Sequence, residues 1–231
     1  MKTILITGAG TGIGRDAAFA LSKLGHTVIA TTETEAQAEA LRKEGFKMEI
    51  FKLDITSPSD RELIIRRDID VLINNAGIGE TGPISEVPMD RVRQNFEVNV
   101  FSALELTQMV LKVMMEKGKG TVIFISSLAG RAPSAFLNPY SMTKFAISGG
   151  VAAMREEIHR IAPNVHMCLV EPGAYATGFN QRMLAKKYEW MDESSYFYKI
   201  IASLRREDAE RFGLLEQKST KSIAASVIKP K

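Results

Sequence analysis

The amino-acid sequence predicts an α/β fold built on a doubly wound parallel sheet with helices on both faces. Short apolar runs alternate along the chain with longer stretches of helical periodicity, which is the pattern of β–α–β units. The runs at 71–73 and 122–125 are apolar throughout, as strands covered on both faces are. The 231 residues suffice for one domain of this kind and leave little room for a second.

The same alternation places the individual elements. Strands are predicted at 3–7, 27–31, 47–53, 70–73, 121–126 and 165–170. Helices are predicted at 12–24, 35–44, 57–67, 90–116 and 139–161. Gly118 is placed to end the fourth helix, and Asn138-Pro139 to begin the fifth as an N-cap followed by proline. A last helix is predicted at about 219–228.

Composition and charge narrow the classes of function. The net charge of +3 is small and the basic residues are scattered, which argues against a nucleic-acid partner. The single cysteine, Cys168, rules out an internal disulfide and is expected to be buried. Met1 leads directly into a strand and no apolar stretch approaches the ~20 residues of a membrane span, so we expect a cytoplasmic protein. The histidines lack metal-ligand spacing, and no metal site is predicted.

A glycine-rich loop follows the first predicted strand and opens a helix. It contains Gly8, Gly12 and Gly14 within the string TGAGTGIG. Glycines let the backbone turn tightly and approach a pyrophosphate, and the helix N-terminus offers free N–H groups. Turns also collect glycine for structural reasons, but the position between strand and helix favours dinucleotide binding.

Tyr140 and Lys144 stand four residues apart near the start of a predicted helix and therefore share a face. A phenol has a pKa of about 10, which a nearby ammonium group and the positive charge of a nicotinamide would lower. Such a pair is also common on ordinary helix surfaces. Here, however, Ser127 ends the strand at 121–126, thirteen residues earlier, at the sheet edge where ligands bind. Ser126 is the rival for a serine role at this edge.

These motifs, taken in order, resemble the short-chain dehydrogenase/reductase family in its compact single-domain branch. The resemblance covers roughly residues 3–180. Its matching residues are Gly8, Gly12, Gly14, Asp54, Asn74-Asn75-Ala76-Gly77, Asn99, Ser127, Tyr140, Lys144, Pro172-Gly173 and Thr177. It implies a Rossmann-type fold and an NAD(P)-dependent oxidoreductase that interconverts a secondary alcohol and a ketone.

The resemblance also implies the catalytic roles. Tyr140 would exchange the proton with the substrate oxygen, and Ser127 would fix and polarise the carbonyl. Lys144 would lower the pKa of Tyr140 and hold the nicotinamide ribose. Asn99 would hold a water that links Lys144 to solvent.

The cofactor-binding residues follow from the same resemblance. They are Gly8, Thr11, Gly12, Ile13, Gly14, Thr32, Glu33, Asp54, Ile55, Asn74, Ala76, Gly77, Tyr140, Lys144, Pro172, Gly173 and Thr177. Asp54 would meet the adenine, although it could equally cap the next helix. Asn74 would steady the central sheet. Pro172, Gly173 and Thr177 would close over the nicotinamide amide.

The end of the second strand decides between NAD and NADP in this family. Thr32 stands where NAD-users carry Asp, and Glu33 stands where NADP-users often carry Arg, so neither hallmark is present. Threonine hydroxyls can donate to a 2′-phosphate, which favours NADP slightly over NAD. Glu33 would oppose that phosphate if it pointed inward, and would decide nothing if it pointed to solvent.

The substrate side is expected at 174–218, where aromatic residues accumulate and form either an apolar lid or ordinary helix packing. Segments near Asn99 and Pro172 resemble hydroxysteroid and retinol dehydrogenases, which implies a lipophilic substrate. The alternative is a 3-oxoacyl-thioester reductase, for which the candidate phosphate-binding residues are Arg131, Arg182, Lys186 and Lys187. A non-enzymatic NAD(P)-sensing regulator is disfavoured because Tyr140 and Lys144 are both present.

Assembly is also predicted from the resemblance. The family usually continues past Pro230 into a seventh strand, which we expect this chain to lack. The helices at 90–116 and 139–161 form the other common subunit interface of the family. A homodimer or homotetramer through these two helices is therefore expected.

Overall fold

The computed structural model describes residues 1–65 and 67–215. The helix predicted at about 219–228 and the segment around Pro230 lie outside the described residues. Within them the strands are β1 Thr3–Ile6, β2 Thr27–Thr32, β3 Glu49–Lys52, β4 Val71–Asn74, β5 Gly120–Ile125 and β6 Val165–Val170. These six strands confirm the six predicted from the sequence.

The strands form one parallel sheet in the order β3-β2-β1-β4-β5-β6. The sheet grows outward in both directions from the neighbouring pair β1 and β4. A crevice opens at the carboxyl ends of this pair, because the connections that leave them cross to opposite faces of the sheet. The doubly wound fold is therefore confirmed, and it sets the place of the site.

The α-helices have the following bounds: α1 Gly12–Lys23, α2 Glu35–Arg42, α3 Pro58–Glu62, α4 Met89–Phe96, α5 Ala103–Lys117, α6 Tyr140–Ile161, α7 Phe179–Ala185, α8 Lys187–Trp190 and α9 Ile201–Leu215. A π-helical turn, Glu97–Ser102, joins α4 to α5. Short 3₁₀ turns lie at Leu128–Gly130 and Tyr198–Ile200.

Two helix predictions need correction. The helix expected at 57–67 ends at Glu62, because the N–H groups that follow donate to carbonyls three residues back and tighten the chain into turns. The fifth helix begins at Tyr140, with Pro139 rather than Asn138 at the cap position. The N–H of Tyr140 donates instead to the carbonyl oxygen of Glu80, at 3.0 Å.

Alternate residues along each strand face two separate apolar cores. On β1, Leu5 points to the core under α5 and α6, whereas Ile4 and Ile6 point to the core under α1 and α2. This alternation explains why the central strands are apolar throughout, since both faces are covered. Cys168, which was expected to be buried, is only half-buried at the margin of the second core.

The expectation that no stretch could span a membrane is also too strong. The helical run Met89–Lys117 is long and apolar enough to cross one by length and composition, but half of its most apolar window is buried in the fold. Leu106, Val110 and Met114 of this run lie in the core against the sheet. The burial identifies the run as a core helix of this domain.

Candidate active site

A cavity of ≈ 1150 Å³ lies at the carboxyl edge of the sheet and extends from the loop after β2 to α7. Most of the predicted site residues line it, namely Gly8, Thr11, Gly12, Ile13, Glu33, Asp54, Ile55, Ala76, Gly77, Ser127, Tyr140, Lys144, Pro172, Gly173 and Thr177. Gly14, Thr32, Asn74 and Asn99 are not among the lining residues. Gln37, Gln94 and Leu137 also line the cavity and were not predicted from the sequence.

The glycine loop forms a close-fitting cradle at the start of α1. Gly8 has a φ of +65°, and a Cβ there would lie 2.7 Å from the Cα of Ala76. Gly12, with a φ of +59°, would place a Cβ 3.2 Å from the Cβ of Thr177. Gly14 lies behind the cradle, where a Cβ would lie 2.7 Å from the carbonyl oxygen of Gly8. Because these positions carry no side chain, the backbone can pack this closely and the N-terminal amides of α1 remain open to a pyrophosphate. The residues present therefore fit a dinucleotide.

The loop after β4 is tied to this cradle. Nδ2 of Asn75 donates to the carbonyl oxygens of Thr7 and Gly8, at 2.9 and 3.0 Å. The hydroxyl of Thr7 accepts the N–H groups of Asn75 and Ala76, each at 3.1 Å. These hydrogen bonds fix the position of the loop after β4 relative to the glycine loop.

Asn99 lies in the π-helical turn, buried behind the cavity wall. Its Oδ1 accepts the N–H of Ile78 at 2.8 Å, and its Nδ2 donates to the carbonyl oxygen of Ile78 at 2.8 Å and to Oγ1 of Thr143 at 3.0 Å. The side chain thus joins the loop after β4 to the helix that carries Tyr140. Its predicted water-holding role stays a prediction.

Ser127, Tyr140 and Lys144 converge at the carboxyl end of β5. The side chain of Ser127 faces the hydroxyl of Tyr140 and favours its ionised form. Nζ of Lys144 donates to the carbonyl oxygen of Ile125 at 2.8 Å and lies 5.6 Å from the centre of the Tyr140 ring. Tyr140 and Lys144 are both about 8% exposed, so their charges are poorly solvated.

Burial shifts the pKa values of both groups. It raises the pKa of Tyr140 to about 12, and the neighbouring side chain of Ser127 offsets this rise only in part. Burial also lowers the pKa of Lys144 to about 8. The lowering of the Tyr140 pKa that was expected from Lys144 and a nicotinamide together is not reached in the protein alone, because burial disfavours the charged form of both side chains. A further positive charge at the site is needed to favour the phenolate.

Both candidate serines line the cavity, but they differ in their partners. Oγ of Ser126 is turned into the protein, 3.3 Å from the carbonyl oxygen of Lys144 and 2.8 Å from Oγ of Ser148. Ser127 faces Tyr140 and accepts the N–H of Ala129 at 3.1 Å. Ser127 is thus the serine placed to meet a group bound beside Tyr140.

At the other end of the cavity two expectations change. The hydroxyl of Thr32 is buried and donates to the carbonyl oxygen of Thr34 at 2.9 Å, so it does not face a cofactor. Asp54 does not cap α3, because its carboxylate accepts the N–H and hydroxyl of Thr56 and Ser57 caps the helix instead.

Asn74 is buried behind the cavity wall, where its Nδ2 donates to Oγ1 of Thr107 at 2.8 Å. This bond joins β4 to α5, and the steadying role of Asn74 near the adenine ribose stays a prediction.

The segment after β6 covers the cavity with fewer aromatics than expected. Phe179 of α7 approaches Tyr140, with ring centres 5.7 Å apart, and Tyr175 also lines the cavity. The aromatic residues at 188–198 do not line the cavity; Phe197, for example, meets Phe136 edge to face. The lid and helix-packing interpretations each account for part of the segment. Among the residues that the structure describes, no cluster fits a metal ion.

The depressed pKa of Lys144 predicts a pH-dependent stability. Between about pH 8 and 10.5 the unfolded lysine binds a proton that the folded one does not, so the free energy of unfolding rises with pH. Across the full window this amounts to about 3 kcal/mol. The measurement is urea unfolding at pH 7 to 10 of wild type and of Lys144→Met. The free energy of unfolding of wild type should rise with pH relative to that of Lys144→Met, because only wild type has this titration. A pH-independent difference would mean that the pKa of Lys144 is not depressed in the folded protein.

Comparison with known proteins places the chain in a family. The profile of the family described as short chain dehydrogenase matches residues 2–188. The uncharacterized oxidoreductase YusZ of Bacillus subtilis (strain 168) is 32% identical over 226 residues, 92% of this chain and 80% of YusZ. The ketoacyl reductase HetN of Nostoc sp. is 33% identical over 182 residues, 74% of this chain and 63% of HetN.

A solved structure agrees in fold. A short chain dehydrogenase/reductase from Burkholderia phymatum, in complex with NAD, superposes with a TM-score of 0.81 over 98% of this chain and 84% of its own, at 20% identity. With the profile covering most of the chain and YusZ above 30% identity over nearly all of it, the chain belongs to the short-chain dehydrogenase/reductase family of NAD(P)-dependent oxidoreductases.

Proposed function

We propose that the protein interconverts a secondary alcohol and a ketone, with Tyr140 as the acid/base. The observation that carries this proposal is the convergence of Ser127, Tyr140 and Lys144 on one cavity that also contains the glycine cradle. The cradle fits the phosphates of a dinucleotide at α1. The three polar side chains, at the far end of the cavity, fit a carbonyl or hydroxyl oxygen.

The bound nicotinamide supplies or accepts the hydride. In reduction, the hydroxyl of Tyr140 donates its proton to the carbonyl oxygen, which Ser127 holds through a hydrogen bond. In oxidation, Tyr140 accepts the proton of the substrate hydroxyl. The hydrogen bond from Lys144 to the carbonyl oxygen of Ile125 holds the ammonium group beside the Tyr140 ring.

The pKa of Lys144 suits this side chain to exchange protons between Tyr140 and solvent after each turnover. At about 8, it lets the amine take up and release protons near neutral pH. We propose that Asn99, which joins the walls around this amine, positions the water through which the exchange with solvent runs.

Tyr140→Phe tests the assignment. Loss of the phenol hydroxyl should lower kcat by about 10²–10⁴-fold, because no proton donor remains at the substrate oxygen. Cofactor affinity, measured by calorimetry, should stay within about twofold, since Lys144 and the glycine cradle are intact. Tyr175→Phe is the matched control, because it removes a second phenol from the same cavity. Substantial turnover by Tyr140→Phe on a substrate of the wild type would refute the role.

We also propose that the enzyme prefers NAD, against the slight sequence-based preference for NADP. The hydroxyls of Thr31 and Thr32 donate to backbone carbonyls of Ile6 and Thr34 and are unavailable to a phosphate. Glu33 lines this end of the cavity, and the cationic lining residues that the structure describes all lie at the other end. A 2′-phosphate would meet a carboxylate without a compensating cation.

Glu33→Arg is expected to raise the ratio of kcat/KM for NADPH to that for NADH by about tenfold or more, since ~1.4 kcal/mol corresponds to one decade. The measurement is steady-state kinetics with both cofactors at two salt concentrations, and the gain should shrink at high salt. Glu39→Arg reverses an exposed charge on α2 outside the cavity and serves as the control. An unmoved ratio would show that Glu33 faces away from the adenosine ribose.

We further propose a cytoplasmic homodimer or homotetramer that acts on lipophilic carbonyl compounds. Phe101, in the π-helical turn, is 51% exposed, and Phe145 of α6 is 41% exposed, which supports association through the two long helices. The apolar wall formed by Leu137, Phe179 and Met183 supports a lipophilic substrate body.

A further inference from the structure

The charges that line the cavity are separated by sign. Its carboxylates, Glu33 and Asp54, lie at the ends of β2 and β3, on the adenosine side. Its cations, Lys144, Arg182 and Lys186, lie at the opposite side, and the last two come from α7 and its C-cap. Lys144 belongs to the catalytic group, so two cations remain for which the proposed mechanism has no use.

Of the basic residues that a phosphate-bearing substrate could use, two are already neutralised. Nε of Arg131 pairs with the carboxylate of Glu171 at 2.7 Å, outside the cavity. Lys187 is almost fully buried, and its Nζ pairs with Asp208 at 2.6 Å. Lys187 cannot serve a ligand without breaking its buried ion pair, and Arg131 does not line the cavity.

Arg182 and Lys186 differ from these two. Among the described residues, no carboxylate or carbonyl oxygen pairs with the guanidinium of Arg182, which lies over Gly178 instead. Lys186 has a partner, Glu189, at 3.5 Å and partly in solvent. An arginine without a partner on a cavity wall is a ready site for an oxyanion, since its planar fork matches carboxylate and phosphate groups.

The position of Arg182 relative to the hydroxyl of Tyr140 follows from the geometry of α7. Phe179, three residues earlier on this helix, approaches the ring of Tyr140. Three residues correspond to a rise of about 4.5 Å and nearly one turn, so Arg182 lies one turn along from the residue beside the catalytic phenol. The apolar Met183 lines the cavity beside it. A ligand with its carbonyl at Tyr140 can therefore reach Arg182 with a group a few bonds away.

We propose that Arg182, assisted by Lys186, binds an oxyanion of the substrate, so that the natural substrate is a carbonyl or hydroxy compound that carries a carboxylate or a phosphate. This inference rests on the proposed function and narrows its substrate class. The cofactor's pyrophosphate is the other source of an oxyanion in this cavity. The substrate is favoured because Thr177 lies against Gly12 of the glycine loop, whereas the guanidinium of Arg182 lies beside Gly178, at the start of the helix that approaches Tyr140.

Matched pairs of ketones test the proposal. Acetoacetate is compared with methyl acetoacetate, and acetoacetyl-coenzyme A with its phosphate-free N-acetylcysteamine thioester. Wild type should prefer the anionic member of at least one pair. Arg182→Gln should lower kcat/KM for that member by about tenfold or more and for the neutral member by less than about twofold, because a charge-assisted hydrogen bond is lost only in the first case.

Arg206→Gln is the matched control, since it removes an exposed arginine of α9 outside the cavity and should leave both members unchanged. Calorimetry with NAD and ADP-ribose separates the two sources of the oxyanion. A loss of affinity for both in Arg182→Gln, with equal effects on the paired ketones, would assign Arg182 to the cofactor and overturn the proposal. Equal kcat/KM for the paired ketones in wild type would also overturn it.

A binding measurement keeps this inference separate from the proposed function. In a Tyr140→Phe background, the anionic ketone is titrated calorimetrically with and without Arg182→Gln. Weaker binding in the double variant supports the oxyanion site whatever the turnover of the protein, and equal binding contradicts it. Retained turnover in Tyr140→Phe, by contrast, would refute only the acid/base assignment.

Discussion

The site depends on the burial of an amine and a phenol side by side at the carboxyl end of β5. Removing Lys144 and Tyr140 from water disfavours the charged form of each, which brings the pKa of the amine to about 8 and that of the phenol to about 12. The protein alone therefore holds both groups neutral over part of the alkaline range. Catalysis in the direction of oxidation needs the phenolate, so it needs positive charge brought to this place.

The fold provides the rigidity that this arrangement requires. β5 supplies the carbonyl oxygen of Ile125 that fixes the amine, and α6 sets Tyr140 and Lys144 on one face. Asn99 and Asn75 tie the loop after β4 to α6 and to the glycine loop. Each tie joins two elements that border the cavity, so the positions of the cofactor cradle and of the acid/base pair are mechanically linked. Such supporting contacts are what keep a site within its working geometry.

Much of this was predictable from the sequence, for physical reasons. Strands buried on both faces have apolar runs, and glycines at 8, 12 and 14 between a strand and a helix are the pattern that dinucleotide binding requires. The direction of the Thr32 hydroxyl was not predictable, because it depends on the local turn of the backbone. The partners of Arg131 and Lys187 were not predictable either, because these ion pairs join residues far apart in the chain. The pKa of Tyr140 in the protein alone was not predictable, because spacing reveals a neighbouring charge but not the depth of burial. Arg182 was predicted only as one of four candidate phosphate-binding residues, because the sequence does not show which of the four line the cavity.

The central claim is that Tyr140 becomes a base only when positive charge is added to its buried site. The direct measurement is the pKa of Tyr140 from ¹³Cζ-tyrosine NMR, with the signal assigned by Tyr140→Phe, in the free protein and with saturating NAD. The account predicts a value near 12 in the free protein and a fall of about two units or more with the cationic cofactor bound. An ordinary value near 10 in the free protein, or a value that does not move on cofactor binding, would contradict it.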